Sequence, residues 1–239
     1  GGYGLQMQVP LPIRPAMTRK AVIFDLDGTL VDTAPDLWRA TNHVMSECGR
    51  RAVTIDEVRA FVGHGARKLI QRGLKATGEE YDAPAIEPLY EKFVAYYRDN
   101  IAVGSAPFPG CLALLDRLKA EGISLGVCTN KQEGLSIKLI ETLGMTAYFD
   151  AIIGADTIGV AKPDPAPYRE ALRRMDRAGA PSLLIGDSET DVLTARAAGV
   201  PIVGVTFGYT PRPIAEFSPN SLVDHFDEAY EPIMALLGG

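Results

Sequence analysis

Four short stretches of this 239-residue chain bring together residue types that could do chemistry, each at or after a predicted strand end. The first is Asp25-Leu26-Asp27-Gly28-Thr29, where two carboxylates, a glycine and a hydroxyl follow the apolar run Ala21 to Phe24. After Ser124 to Cys128 comes Thr129-Asn130-Lys131, offering a hydroxyl, an amide and backbone N–H groups that can hold phosphate oxygens. The third is Ala161-Lys162-Pro163-Asp164-Pro165, whose prolines restrict the loop and fix the point from which Lys162 projects. The fourth, Gly186-Asp187-Ser188-Glu189-Thr190-Asp191, sets one aspartate at a strand end and another one helical turn on. Singly, each motif is more often a turn or a helix cap; in this order on successive strand ends the set is specific.

Asp25, Asp27, Asp187 and Asp191 facing one crevice cannot all stay ionised without compensation, because like charges a few ångströms apart raise one another's pKa. A divalent cation resolves this. The available ligands are hard oxygens with no thiolate or imidazole beside them, which points to Mg²⁺ or Mn²⁺ rather than zinc. With Lys162, the cation would bring positive charge to where a phosphoryl group must sit.

The elements that must position these groups follow from the patterning. Ala21 to Phe24 reads as a strand buried on both faces of a parallel sheet, whose carboxyl edge is where open α/β sheets bind ligands. From Pro109 the pattern alternates strands and helices: helix 112–120, strand 124–128, helix 135–143, strand 151–153, helix 167–177, strand 182–185, helix 192–198 and strand 202–205. A last helix is expected over 227–237. That predicts an α/β fold with a doubly wound parallel sheet.

Between Asp36 and Asn100 the period becomes helical, with Leu37, Ala40, Val44 and Met45 on one face of a first helix and Pro35 just inside its start. Ile55 to Phe61 predicts a second helix, with Thr54 and Glu57 as a capping box. Residues 66–76 predict a third and 85–97 one or two more, whose Leu89, Phe93, Tyr96 and Tyr97 read as bundle core, as does Trp38. The chain therefore divides into a core, residues 19–33 and 105–239, and an inserted helical domain, residues 34–104, hinged near 32–34 and 104–109. Residues 1–18, with three prolines and no basic start followed by a long apolar core, read as a tail ahead of a natural start at Met17.

A net charge of −6 and a pI near 5.2, with no basic block, argue against a nucleic-acid partner. No apolar run approaches a membrane span. Cys48, Cys111 and Cys128 are odd in number and widely spaced, which fits reduced thiols in a cytoplasmic protein. His43, His64 and His225 read as surface or core residues, and the oligomeric state is not legible.

The four motifs together resemble the haloacid dehalogenase superfamily of aspartate-nucleophile phosphotransferases, over about Lys20 to Gly208. Within it, the stretch Phe61-Val62-Gly63-His64-Gly65-Ala66-Arg67 resembles the phosphoglycolate phosphatase group with its helical cap. The resemblance implies that Asp25 is the nucleophile, forming an aspartyl-phosphate, and that Asp27 is the general acid/base. It implies Mg²⁺ held by the Asp25 carboxylate, the Asp27 backbone carbonyl and Asp187, with Asp191 orienting a metal-bound water. Thr129, Asn130 and Lys162 would bind the transferring phosphoryl group, and the substrate would be a small phosphorylated metabolite. Arg67, with Lys68 beside it, is the cap cation nominated to pair with a substrate carboxylate. A phosphatase of another sugar phosphate and a phosphomutase remain open, since they share the motifs. Dehalogenation is disfavoured, because the family's dehalogenases lack an aspartate at the position of Asp27. A binding module with a dead site is disfavoured because every catalytic position is filled by the expected residue type.

Overall fold

The computed structural model describes residues 19–238, so the tail expected at 1–18 lies outside them. β1 (Ala21–Phe24) is completely buried. Its alternate residues serve two cores: Val22 and Phe24 face one apolar cluster, Ala21 and Ile23 the other. This two-sided burial is why the run is continuously apolar rather than alternating.

After β1 a tight loop leads into β2 (Val31–Asp32) and a helical stretch, α1 (Ala34–Glu47), α2 (Ile55–Phe61), α3 (Ala66–Thr77) and α4 (Ala83–Asp99). β3 (Ala106–Pro107) returns antiparallel to β2, with Val31 opposite Pro107 and Asp32 opposite Ala106. The alternation then runs α5 (Cys111–Ala120), β4 (Ser124–Cys128), α6 (Glu133–Thr142), β5 (Ala151–Ile153), α7 (Ala166–Arg174) and β6 (Ser182–Gly186). It ends with α8 (Glu189–Ala198), β7 (Ile202–Val205), β8 (Ser221–Val223) and α9 (Tyr230–Leu236).

The main sheet has six strands in the order β5-β4-β1-β6-β7-β8, every pair parallel. β1 sits between β4 and β6, with Phe24 level with Val127 on one side and Ile185 on the other. The chain winds outward from β1 in both directions, so the crevice falls at the carboxyl ends of these three strands. Residues from α5, α6 and α9 share one apolar cluster with the sheet, and residues from α7 and α8 the other.

Helices α1 to α4 pack on one another. Their buried Leu37, Val44, Met45, Ile70, Leu74 and Phe93 are continuous with the sheet's own cluster. The α2 capping box forms as expected: Thr54 Oγ1 accepts from Glu57 N–H at 3.1 Å, and Glu57 Oε2 accepts from Thr54 N–H at 2.7 Å. α4 is one helix, running through Pro88.

Several expected bounds shift. α7 stops at Arg174 rather than Arg177, the chain turning where Asp176 takes a φ of +55°. α8 begins three residues earlier than its apolar spacing implies, at Glu189, because its first turn is occupied by polar site residues. The last expected helix divides into a short 3₁₀ turn, Phe226–Glu228, and α9. The sequence pattern does not indicate β2, β3 and β8: two residues display no period, and Ser221–Val223 lacks the apolar continuity that makes the equally short β5 legible.

Candidate active site

The sheet ladder continues one residue past β1: Asp25 N–H donates to Ile185 O at 2.9 Å, which holds the carboxylate at the sheet's edge. Asp25 Oδ1 accepts from Leu26 N–H at 2.8 Å. Gly28 then turns the chain at φ +79°, and a Cβ there would lie 2.6 Å from Asp187 Oδ2. Thr29 Oγ1 donates to Asp187 Oδ1 at 2.9 Å, and Tyr209 N–H donates to Asp187 Oδ2 at 2.7 Å. Gly186 is bare for a similar reason, since the Asp191 side chain occupies the space a Cβ would need.

Asp191 knits two loops together. Its Oδ2 accepts from the N–H groups of Asp187 and Ser188 at 3.1 and 3.3 Å and from Ser188 Oγ at 3.2 Å, while Oδ1 accepts from Lys162 Nζ at 2.7 Å. Lys162 Nζ also donates to Asp25 Oδ1 at 3.1 Å. The Lys162 side chain is 3% exposed and that of Asp191 fully buried. The expected fixed origin for Lys162 comes from Asn130 as well as the prolines: Asn130 Oδ1 accepts from Lys162 N–H at 2.9 Å, and Nδ2 donates to Lys162 O at 3.0 Å. The same Nδ2 donates to Gly63 O at 3.1 Å, so the amide hydrogens are engaged in bracing loops rather than offered to a ligand. Thr129 Oγ1 accepts from Lys131 N–H at 3.1 Å, which leaves its own proton to donate.

Charge explains the arrangement. Burial, then the nearby Asp191 carboxylate, push the Asp25 carboxyl up to about 7, against the opposing pull of Lys162. Burial first, then Asp25 and Asp191, hold Asp187 well above the usual carboxylate range. Burial alone would weaken the Lys162 ammonium, but Asp191 and Asp25 outweigh it and hold the proton on. The site is therefore short of positive charge. One carboxylate oxygen each from Asp25, Asp187 and Asp191 lie within 4.8 Å of one another, a hard-oxygen donor set that fits a small divalent cation. Asp191 already accepts an ammonium, two N–H groups and a hydroxyl, so Asp25 and Asp187 have more capacity left for a cation.

Above this floor lies a cavity of about 440 Å³, reached by Asp25, Asp27, Thr129 and Lys162 from below and walled by Arg67, Phe93 and Tyr97 from the helices and by His64 from the loop between α2 and α3. Arg67 is thus brought to the cavity, but not as a lone cation. Its Nε and Nη2 donate to Glu87 at 2.6 and 3.1 Å, and its guanidinium stacks 3.7 Å above the Tyr90 ring. His64 lines the cavity too, where the sequence suggested only a surface or core residue; burial, then Arg72 and Lys68, hold its imidazole below the usual range.

Two residues at the site escaped the sequence reading of their side chains. Lys131 Nζ pairs with both oxygens of Asp27, at 3.0 and 3.2 Å, and donates to Tyr97 Oη at 2.7 Å. A lysine following the second strand-end motif was visible; its partner was not, because the pairing crosses 104 positions of sequence. Tyr97 belongs to the aromatic stripe, and its hydroxyl is the polar handle that a buried tyrosine needs to satisfy.

Comparison with known proteins shows what the chain is similar to. A family model described as haloacid dehalogenase-like hydrolase matches residues 22–205. A protein of Mesorhizobium japonicum named phosphoglycolate phosphatase is 44% identical over 211 residues, covering 88% of this chain and 93% of its own. Among solved structures, a predicted phosphoglycolate phosphatase from Haemophilus somnus superposes with a TM-score of 0.83 at 29% identity, covering 91% of this chain and 99% of its own. CbbY from Rhodobacter sphaeroides, solved in complex with phosphate, superposes with a TM-score of 0.74 at 28% identity, covering 88% of this chain and 96% of its own.

Proposed function

The chain belongs to the haloacid dehalogenase-like hydrolase family, and from that premise we propose that it hydrolyses 2-phosphoglycolate to glycolate and phosphate. The observation that carries the reading is the convergence of Asp25, Lys162, Asp187 and Asp191 beneath one cavity, from three separate parts of the sequence. The relative of that name in Mesorhizobium japonicum, aligned over most of both chains, supports the choice of substrate.

Asp25 attacks phosphorus, the bond to the leaving oxygen breaks, and Asp27 delivers a proton to that oxygen. Asp27 then takes a proton from water as the water attacks the aspartyl-phosphate, returning Asp25 and releasing phosphate. Lys162 binds an equatorial phosphoryl oxygen while Asp191 and Asn130 hold it in place, and Thr129 donates to another. Asn130 therefore acts through Lys162 rather than on the phosphoryl group. The residues suited to Mg²⁺ are Asp25, Asp187 and the backbone carbonyl of Asp27. When bound, the ion offsets the negative charge of phosphoryl group and carboxylates together.

We assign the helices of residues 34–104 the part of a lid over a core of residues 19–33 and 105–238, with Arg67 facing the substrate carboxylate. Three free thiols suit a reducing, cytoplasmic setting.

The deciding experiment is phosphate release from a panel of small phosphomonoesters with Mg²⁺, ranked by kcat/KM, on the parent protein and Asp25→Asn. The parent should favour 2-phosphoglycolate and accumulate an acid-labile phosphoenzyme during turnover. Asp25→Asn should lose both turnover and phosphoenzyme. A panel headed by a sugar phosphate would overturn the substrate, and a phosphoenzyme surviving in Asp25→Asn would overturn the nucleophile.

A further inference from the structure

Asp27 and Lys131 lie in the loops that leave the ends of neighbouring strands, β1 and β4, and pair with each other there. The Lys131 side chain is 5% exposed and that of Asp27 14%, so the pair sits largely out of water. An ammonium has three hydrogens. Here they serve both oxygens of Asp27 and the hydroxyl of Tyr97, which leaves the carboxylate little freedom to turn.

Tyr97 is the partner that comes from elsewhere. It lies near the end of α4, is 1% exposed, and packs its ring against Phe93 at 5.7 Å, with Lys131 Nζ 4.5 Å from its centroid. Burial, then Asp27 and Asp36, hold its phenol well above the usual range, so it remains a neutral acceptor for the lysine. Among the described residues, Tyr97 is thus the direct hydrogen-bonded link between the helical stretch and the Asp27–Lys131 pair.

We infer that Lys131 and Tyr97 are positioning residues for proton transfer by Asp27: the helices, when packed on the sheet, fix Lys131 through Tyr97, and Lys131 fixes the carboxylate that serves the leaving oxygen. The inference rests on the phosphatase reading and names two further residues for it. Asp27 enters the step carrying a proton taken from solvent or from the water of the preceding turnover; as the phosphorus–oxygen bond breaks, that proton passes to the leaving oxygen, and the carboxylate left behind takes up the pairing with the Lys131 ammonium. The same carboxylate then accepts a proton from the attacking water.

Leaving groups separate this role from mere structural support. An alkoxide leaving group needs the proton, whereas p-nitrophenolate departs without it, and kcat/KM reports the steps up to and including formation of the phosphoenzyme. Tyr97→Phe keeps the ring and removes the acceptor; Lys131→Met keeps the length and removes the charge. Both should lower kcat/KM for 2-phosphoglycolate by about 10-fold or more, a part of the roughly 10²–10⁴-fold that general acid catalysis contributes. For p-nitrophenyl phosphate the loss should stay below about 3-fold on the same ground.

Equal losses on the two substrates in folded variants, or no loss on either, would overturn the inference. A selective loss in Lys131→Met alone would remove Tyr97 and with it the link to the helices. A parent protein that hydrolyses neither substrate would instead sink the phosphatase reading itself. Melting temperatures of both variants accompany the kinetics, and Tyr97→Phe, the milder change, decides the matter if Lys131→Met does not fold.

Discussion

The floor and the wall of the cavity are both charged, yet they are built on opposite terms. On the floor, Lys162 sits between Asp25 and Asp191 with side-chain exposures of 3%, 13% and 0%, and its neighbours are fixed by backbone N–H groups. On the wall, the Arg67–Glu87 pair is 55% and 52% exposed and is held by side chains alone. Floor charges interact at short range with little water to screen them, and removing one partner leaves an uncompensated buried charge. Wall charges are screened, and exchanging one partner for another costs little. On the roles proposed for them, the contrast would set the reaction chemistry into the sheet and leave substrate choice to side chains that can let go.

The largest test of that contrast is Lys162→Ala. Phosphoryl transfer depends on charge already in place, so turnover should fall by about 10²-fold or more, as when one preorganised donor is removed from other sites. A steady-state assay with saturating 2-phosphoglycolate reads this directly. Near-normal turnover would mean that the floor is no more committed than the wall, and the distinction would fail.

A second test uses pH on the metal-free protein. Asp25 moves from an ordinary 3.8 to about 7 on folding, chiefly through burial and then the charge of Asp191. Below the ordinary value both folded and unfolded states hold the proton. Between that value and about 7 only the folded state does, so its stabilising contribution is present at low pH and is lost as pH rises through this window. In EDTA, the melting temperature of the parent relative to Asp25→Asn should therefore fall from about pH 5 to about pH 8, the carboxyl of the parent alone titrating. Mg²⁺ added at the upper end should restore the parent, since a cation replaces the missing protons, and should restore Asp25→Asn less. A difference between parent and variant that does not change with pH would show that the floor is better solvated than its geometry implies.

How much of this was legible beforehand divides along the same line. Asp25, Thr129 and Asp187 announced themselves because each stands at the end of a short run that is buried on both faces: Asp25 after Ala21–Phe24, Thr129 after Ser124–Cys128, Asp187 after Ser182–Gly186. Their order on the sheet edge then follows from the winding rules. What stayed hidden was pairing across long stretches of sequence. Asn130 reads as a phosphate ligand until Lys162, 32 positions on, is seen to occupy its amide. Tyr97 reads as core because its ring is core, and only its hydroxyl does anything else. On the wall, Arg67 could be nominated from its type and place, but neither Glu87 nor Tyr90 could, since helical spacing says which residues share a face and not which face meets another helix.

Those two partners make the finest test of the contrast. Glu87 accepts both hydrogen bonds of the Arg67 fork, the geometry a substrate carboxylate would itself require. On the role proposed for Arg67, an arriving carboxylate would share or displace Glu87, and the exposed pair yields at small cost. Glu87→Gln removes the competing charge while keeping an acceptor, so KM for 2-phosphoglycolate should fall by about 3-fold with kcat unchanged. Arg67→Ala should raise the same KM by about 10-fold and also leave kcat nearly intact, the signature of binding shared by ground and transition states. For p-nitrophenyl phosphate, which brings no carboxylate, neither substitution should move KM. Added salt should narrow the gap between parent and Glu87→Gln, because screening weakens exposed pairs first. If Arg67→Ala instead lowered kcat as severely as Lys162→Ala, the guanidinium would belong with the floor, and the division between fixed chemistry and exchangeable selectivity would have to be drawn elsewhere.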